Sequence, residues 1–320
     1  MTLRSVIVGT GSYLPETRLT NDDLSKHLET SHEWIVERTG ICARYIAAEG
    51  EYTSDMATLA SRRALEAAGL MPDAIDMIIL ATSTPDHTFP STASRVQEKL
   101  GISKGFAFDQ SAACSGFVFA LASADAYLKQ GMAKTALVIG SETMSRLLDW
   151  NDRSTAVLFG DGAGAVILQA QTHTDRGIIG NVLGTDGQGY GTLYVNGGPS
   201  STQTTGTIQM QGREVFRNAV NRLGEAVEEI LKVHRISQND IDWLVPHQAN
   251  KRIIDATAKK LGLPDSKVIH TGDEHANTSA ASIPLALDQA VRDGRIKKND
   301  LILCEAFGAG FAWGSNLIRM

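Results

Sequence analysis

Ala67-Ala68-Gly69-Leu70-Met71-Pro72-Asp73-Ala74-Ile75-Asp76-Met77-Ile78 and Val233-His234-Arg235-Ile236-Ser237-Gln238-Asn239-Asp240-Ile241-Asp242-Trp243-Leu244 share one layout. In both, a helical pattern ends, a polar turn follows, and an Ile-Asp pair opens an apolar strand. Two further matches lie downstream in the same order. Cys114 and Asn277 each precede a helical pattern, and each stands 17 residues before a glycine, Gly131 and Gly294. Each half then closes on a glycine-rich turn into a strand, Phe159-Gly160-Asp161-Gly162-Ala163-Gly164-Ala165 and Phe307-Gly308-Ala309-Gly310-Phe311. Helix–turn–strand units recur widely, so one match is within reach of chance. Three in order favour an internal duplication, with halves 1–171 and 172–320.

Apolar strand-like runs at Val6–Val8, Met77–Ala81, Thr135–Gly140, Trp243–Val245 and Leu301–Cys304 alternate with amphipathic helical patterns at Asp55–Ala68, Gly212–Val233 and Asn250–Leu261. Alternation of this kind predicts an α/β fold with mostly parallel sheets covered by helices. The 320 residues hold 42% hydrophobic and 21% charged side chains and contain no linker, which suits one compact body with ample core. A net charge of −6 argues against general nucleic-acid binding. No apolar run approaches the roughly 20 residues that span a bilayer. The stretch Met1–Val8 reads as a first strand rather than a secretory signal, so a cytoplasmic location is expected. Cys42, Cys114 and Cys304 form neither a disulfide framework nor a C-x-x-C pair, and no zinc-ligand pattern accompanies them.

Cys114 carries the chemical signal. Phe106–Asp109 reads as a short buried strand and Ser115–Lys129 as a helix, which puts Cys114 in the turn between them among small residues. A thiol at a helix start feels the positive end of the macrodipole, which favours thiolate, and nearby backbone N–H groups can receive an oxyanion. Taken alone, a cysteine in such a chain is more often a small buried hydrophobe. Cys42 and Cys304 are read that way.

His247 closes a strand in Val245-Pro246-His247-Gln248-Ala249-Asn250, and Asn277 opens a helix in Asn277-Thr278-Ser279-Ala280-Ala281-Ser282. Loops at the ends of parallel strands gather side chains at one sheet edge, and His and Asn there can both donate to one oxygen. An N-cap for Asn277 and a hydrogen-bonded surface position for His247 are the ordinary alternatives. Cys, His and Asn in that order also describe papain-like proteases, but the local sequence around such a nucleophile is missing and the duplicated α/β layout does not suit them.

Ser111-Ala112-Ala113-Cys114-Ser115-Gly116 and the two motifs around His247 and Asn277 closely resemble the active-site motifs of bacterial β-ketoacyl-acyl carrier protein synthase III. Glu305-Ala306-Phe307-Gly308-Ala309-Gly310-Phe311-Ala312-Trp313-Gly314-Ser315 resembles that family's C-terminal signature. The resemblance covers essentially the whole chain. It implies a thiolase-like αβαβα fold, a homodimer, and decarboxylative condensation of a short acyl-CoA with malonyl-acyl carrier protein, without a cofactor. Cys114 would be the nucleophile, and His247 and Asn277 would bind the enolate oxygen. The backbone N–H groups of Cys114 and Ala309 would form the other oxyanion hole; many relatives have glycine in place of Ala309.

The resemblance also suggests substrate contacts. Ser31–Gly40 reads as a short helix carrying Trp34, whose family counterpart stacks on the coenzyme A adenine with an arginine opposite, here Arg153. Arg38, one turn beyond Trp34, would reach phosphate. Phe216 and Asn250 would line the pantetheine tunnel, and Phe307 would pack near the catalytic pair. Phe89 would cross the dimer interface to close the partner's acyl pocket; otherwise it is the buried aromatic of a turn. Arg252, Lys259, Lys260 and Arg217 would offer an acidic carrier protein a basic landing site, though such charges often only solvate a helix. Three other readings stay open: a starter-unit synthase of secondary metabolism with the same three residues, a thiolase, for which the second active-site cysteine is missing, and a non-catalytic carrier-binding scaffold.

Overall fold

The computed structural model describes residues 3–320. Strands form at Arg4–Tyr13, Met77–Ala81, Thr135–Thr143, Trp243–Pro246 and Leu301–Gly308, over the runs expected from hydropathy. Met1 and Thr2, which the sequence reading placed at the first strand, lie outside the described residues. The two repeated turns are the 3₁₀ turns Pro72–Ala74 and Gln238–Asp240. Each Ile-Asp pair works alike. Ile75 and Ile241 are buried, while Asp76 accepts the Lys134 and Thr135 N–H groups at 3.0 and 3.1 Å and Asp242 accepts that of Leu301 at 2.8 Å. The carboxylate ties the start of one strand to the start of its neighbour.

The first sheet runs in the order Arg4–Tyr13, Asp161–Gln171, Thr135–Thr143, Met77–Ala81, Phe106–Gln110. The second runs Gly177–Thr185, Ala312–Arg319, Leu301–Gly308, Trp243–Pro246, and Leu244 makes a further parallel bridge to Val268. Within these two sheets Asp161–Gln171 and Ala312–Arg319 oppose their neighbours and the other pairings are parallel.

Helices Thr53–Ala68 and Thr92–Leu100 cover the outer face of the first sheet, and Gly212–His234 and Lys251–Lys260 that of the second. Gly116–Lys129 and Ser282–Arg292 lie between the sheets, where Phe117, Leu121, Ile283 and Leu287 join side chains of both in one core. The result is five layers, αβαβα. Gly140 permits the close approach of the middle layer: a Cβ there would stand 2.3 Å from the Ala280 carbonyl oxygen.

One strand differs from expectation. Phe106–Gln110 is half-buried rather than buried, because it is an edge strand paired only with Met77–Ala81. Phe106 and Phe108 face the middle layer, where they pack against the central core and stack on each other with centroids 6.4 Å apart.

Candidate active site

The middle-layer helices begin with matching 3₁₀ turns, Ala113–Ser115 and Ser279–Ala281, which touch each other. Ala113 and Ser279 enter these turns at φ 46° and 50°. In geometry, therefore, Cys114 corresponds to Ala280. The equal 17-residue spacings equated it with Asn277 only because the second helix starts one turn closer to its closing glycine. Asn277 still reaches the site: its N–H donates to the Leu158 carbonyl at 2.9 Å and its carbonyl accepts the Gly160 N–H at 3.1 Å.

A cavity of about 450 Å³ runs between the second sheet and its outer helices, and Cys114, His247 and Asn277 all line it, together with Phe307. Each of these four is buried in the protein interior, so the cavity is their route to solvent. The turn carrying Cys114 is held to the second sheet by the Ser115 hydroxyl, which donates to the Ala312 carbonyl at 2.8 Å. Gly308 passes so close that a Cβ would lie 2.8 Å from the Cys114 nitrogen.

The electrostatics correct one expectation. Burial pushes the Cys114 thiol up to about 11, against a smaller downward pull from a hydrogen bond with Ser279. Burial thus favours the neutral thiol as the resting form. Cys304 is buried too, and its thiol rises to about 12.

His247 is neutral, since burial lowers its imidazolium to about 3. The Ser282 hydroxyl lies 2.6 Å from Nδ1 and accepts the Gln248 N–H at 3.2 Å. The Ser282 hydroxyl has no other acceptor for its own proton among the described residues, so we assign that proton to Nδ1, which leaves Nε2 as the protonated nitrogen. That Nε2 is buried without a protein partner. Asn277 Oδ1 accepts the Ser279 N–H at 2.9 Å, which commits the oxygen and leaves the amide NH₂ as donor. The site thus offers two neutral donors beside one sulfur, an arrangement suited to negative charge on a substrate oxygen.

At the mouth, Trp34 sits on the helix His32–Thr39, capped by Ser31 and closed by Gly40. The guanidinium carbons of Arg38 and Arg153 lie 4.5 and 5.1 Å from its ring centroid. Arg38, Phe216, Asn250 and Arg252 line the cavity; Trp34 and Arg153 stand outside its lining. Asn250 also caps the helix Lys251–Lys260, accepting the Arg252 N–H at 2.8 Å. Ile253 lines the cavity and packs against the cluster of Val215, Phe307 and Phe311. Arg252, Lys259, Lys260 and Arg217 are exposed, but Lys260 lies along the helix Gly212–His234 with its ammonium 3.4 Å from the Asn221 carbonyl, and Arg217 pairs with Glu214. Ala309 is not among the residues with positive φ, so alanine fits where relatives have glycine. Phe89 is 84% exposed, which removes its reading as the buried aromatic of a turn.

The sequence reading passed over Ser282, Arg213, Thr257 and Glu305. Arg213, Thr257 and Glu305 line the cavity and Ser282 orients the histidine. Ser282 and Glu305 stood in the quoted motifs, but nothing local showed what they would face. Asp255, Asp265 and His270 place ligand-type atoms within 4.8 Å of one another, yet Lys251 pairs with Asp255 at 2.8 Å and His270 with Asp265 at 2.9 Å, so they form a surface charge cluster.

Comparison with known proteins decides the family. Residues 108–187 match 3-oxoacyl-[acyl-carrier-protein] synthase III, and residues 231–320 match the C-terminal part of the same family. The β-ketoacyl-[acyl-carrier-protein] synthase III of Paramagnetospirillum magneticum is 59% identical over 324 residues, covering 100% of both chains. The chain belongs to the β-ketoacyl-[acyl-carrier-protein] synthase III family. The 3-oxoacyl-[acyl-carrier-protein] synthase III of Aquifex aeolicus VF5 superposes with a TM-score of 0.94 at 46% identity, covering 99% of this chain and 100% of that one. The priming β-ketosynthase of the R1128 polyketide biosynthetic pathway gives 0.94 at 36% identity, covering 99% and 96%. As a member of this synthase III family the chain is a condensing acyltransferase with a thiolase-like fold. No described helix is long and apolar enough to cross a membrane.

Proposed function

We propose that this protein condenses a short acyl-CoA, acetyl-CoA first among them, with malonyl-acyl carrier protein through an acyl-Cys114 intermediate, and so starts type II fatty-acid synthesis. The observation that carries the reading is the convergence of a sulfur, a neutral Nε2–H donor and a carboxamide donor on one cavity. Storage on sulfur divides one hard step into two. The backbone N–H groups of Cys114 and Ala309 take the thioester oxygen during acylation. Loss of carbon dioxide from the malonyl group then generates the carbanion, and His247 and Asn277 hold the enolate oxygen while it attacks. Each donor is worth about 3–4 kcal/mol to such a step. The chemistry asks for no metal or redox group, because decarboxylation supplies the carbanion.

Trp34 with Arg153 holds the adenine, Arg38 reaches phosphate, and Phe216 and Asn250 flank the pantetheine arm. Arg252, Lys259, Lys260 and Arg217 receive the acidic carrier, with Arg252 nearest the cavity. The chain works as a homodimer in the cytoplasm, and exposed Phe89 closes the partner's acyl pocket. The like-ordered sheets support descent of residues 1–171 and 172–320 from one duplicated unit.

Incubation with acetyl-CoA followed by intact-protein mass measurement is the primary test, expected to give one acetyl adduct mapped to Cys114. Asn277→Ala should still acylate while malonyl decarboxylation falls about 10²-fold or more. Absence of any adduct with short acyl-CoA donors would refute the reading. The likeness to a priming β-ketosynthase keeps a second reading alive, a starter-unit synthase of secondary metabolism, which a screen of acyl-CoA starters separates from the first.

A further inference from the structure

Glu305 is the one acidic side chain lining the cavity among the described residues. It is 1% exposed, and neither carboxyl oxygen has a hydrogen-bond partner. Thr257, on the helix Lys251–Lys260, lines the same cavity with its hydroxyl likewise buried and unpartnered. A polar group this deep is not left bare: it keeps water or a ligand. The sulfur of Cys114 and the Nε2 of His247 share that lining.

Acylation poses a proton problem that the three expected residues do not solve. The resting sulfur is a thiol held up to about 11. His247 cannot take its proton, because Ser282 already donates to Nδ1 and Nε2 is protonated. Glu142, raised by burial to about 7, also acts on Cys114 through space, but Thr82, Ser83 and Thr84 donate to it and it does not line the cavity.

Building on the condensing function above, we propose that Glu305, through water shared with Thr257, carries the proton from the Cys114 sulfur to the departing sulfur of the acyl donor. The Cys114 S–H gives its proton to the Glu305 carboxylate, and the sulfur forms a bond to the thioester carbonyl carbon. As the intermediate collapses, the bond from that carbon to the donor sulfur breaks, and the leaving thiolate takes the proton from Glu305. One thiol is consumed, one is released, and Glu305 returns to its starting form. Burial raises the Glu305 carboxyl to about 8, which places it near the operating pH of such a carrier. The other titratable or charged groups lining the cavity are Cys114, His247, Arg38, Arg213 and Arg252, with both ring and thiol neutral at rest. Cys304, the neighbour of Glu305 in the chain, is a neutral thiol at about 12.

The experiment follows the two half-reactions separately in wild type, Glu305→Gln and Thr257→Val. Iodoacetamide alkylation of Cys114, profiled across neutral to alkaline pH, should show an inflection near the Glu305 value in wild type and lose it in Glu305→Gln. Acetyl transfer from acetyl-CoA at neutral pH should slow about 10²-fold in Glu305→Gln, and by a smaller factor in Thr257→Val with the inflection kept. Decarboxylation of a malonyl thioester by enzyme already acetylated should change far less in both, which also reports that the variants fold. An inflection that persists in Glu305→Gln, or equal losses in the two half-reactions, would overturn the proposal. Failure of wild type to form an acetyl adduct would instead remove the function on which it rests.

Discussion

Replacing Gly308 with alanine tests the contact between the end of one strand and the nucleophile turn. The new methyl would stand 2.8 Å from the Cys114 nitrogen, 3.1 Å from its Cβ and 3.2 Å from the Ser115 nitrogen. Carbon sits comfortably at about 3.5–4.0 Å from such atoms, so one backbone must retreat by roughly 0.5 Å or more. Neither yields easily: Ala113 already holds φ 46° and Ser115 is bonded to Ala312. Overpacking of this kind costs about 1–3 kcal/mol of stability. Displacing the Cys114 N–H takes it out of the range in which an oxyanion donor works, a loss of about 10²–10³ in rate. The assay is single-turnover acetylation by intact mass, with thermal unfolding alongside. Gly187→Ala is the control, since its Cβ would meet nothing within 4 Å. Acetylation of Gly308→Ala at the wild-type rate would refute both the contact and the oxyanion role of that N–H.

Trp34→Ala should raise KM for acyl-CoA about tenfold, from the loss of a stacking platform worth about 1–3 kcal/mol, and leave KM for the malonyl carrier, which has no adenine, unchanged; steady-state kinetics with each substrate varied will show it. Ser282→Ala strips the partner from Nδ1 and from the Gln248 N–H. It should lower carbon dioxide release from the malonyl donor about 10²-fold while acetylation continues, with about 1–3 kcal/mol lost in unfolding measurements. Glu305→Gln should stabilise the protein increasingly as pH rises. Burial raises the folded carboxyl to about 8 from the 4.5 of an unperturbed glutamate, so between these values the native state binds the extra proton and wild-type stability falls with rising pH. Melting temperatures of the two proteins should therefore diverge from pH 5 to pH 8 in favour of the variant, and a constant difference would contradict the assignment.

The repeated Ile-Asp openings, the apolar runs and the glycine turns were readable because they obey local rules: periodicity selects the element, and Gly or Pro ends it. The nucleophile motif was readable for the same reason, since small residues around a turn before a helix leave a mark in the chain. Equal spacing proved a weaker guide. It equated Cys114 with Asn277, whereas the 3₁₀ turns align Cys114 with Ala280, because a helix one turn shorter shifts the frame without changing the pattern. The burial of Phe106–Gln110 was misread because hydropathy does not say whether a strand is central or at an edge.

The chain's own text determined its class, its two-part layout and the residue types able to carry an acyl group, all of which depend on neighbours within a few positions. Tertiary structure alone decided the protonation states. Whether Cys114 rests as thiol, which nitrogen of His247 bears hydrogen, and that Glu305 faces the cavity unpaired depend on desolvation and on partners such as Ser282, 35 residues from His247. Those terms come from what the folded chain packs around a group, and no local pattern contains them.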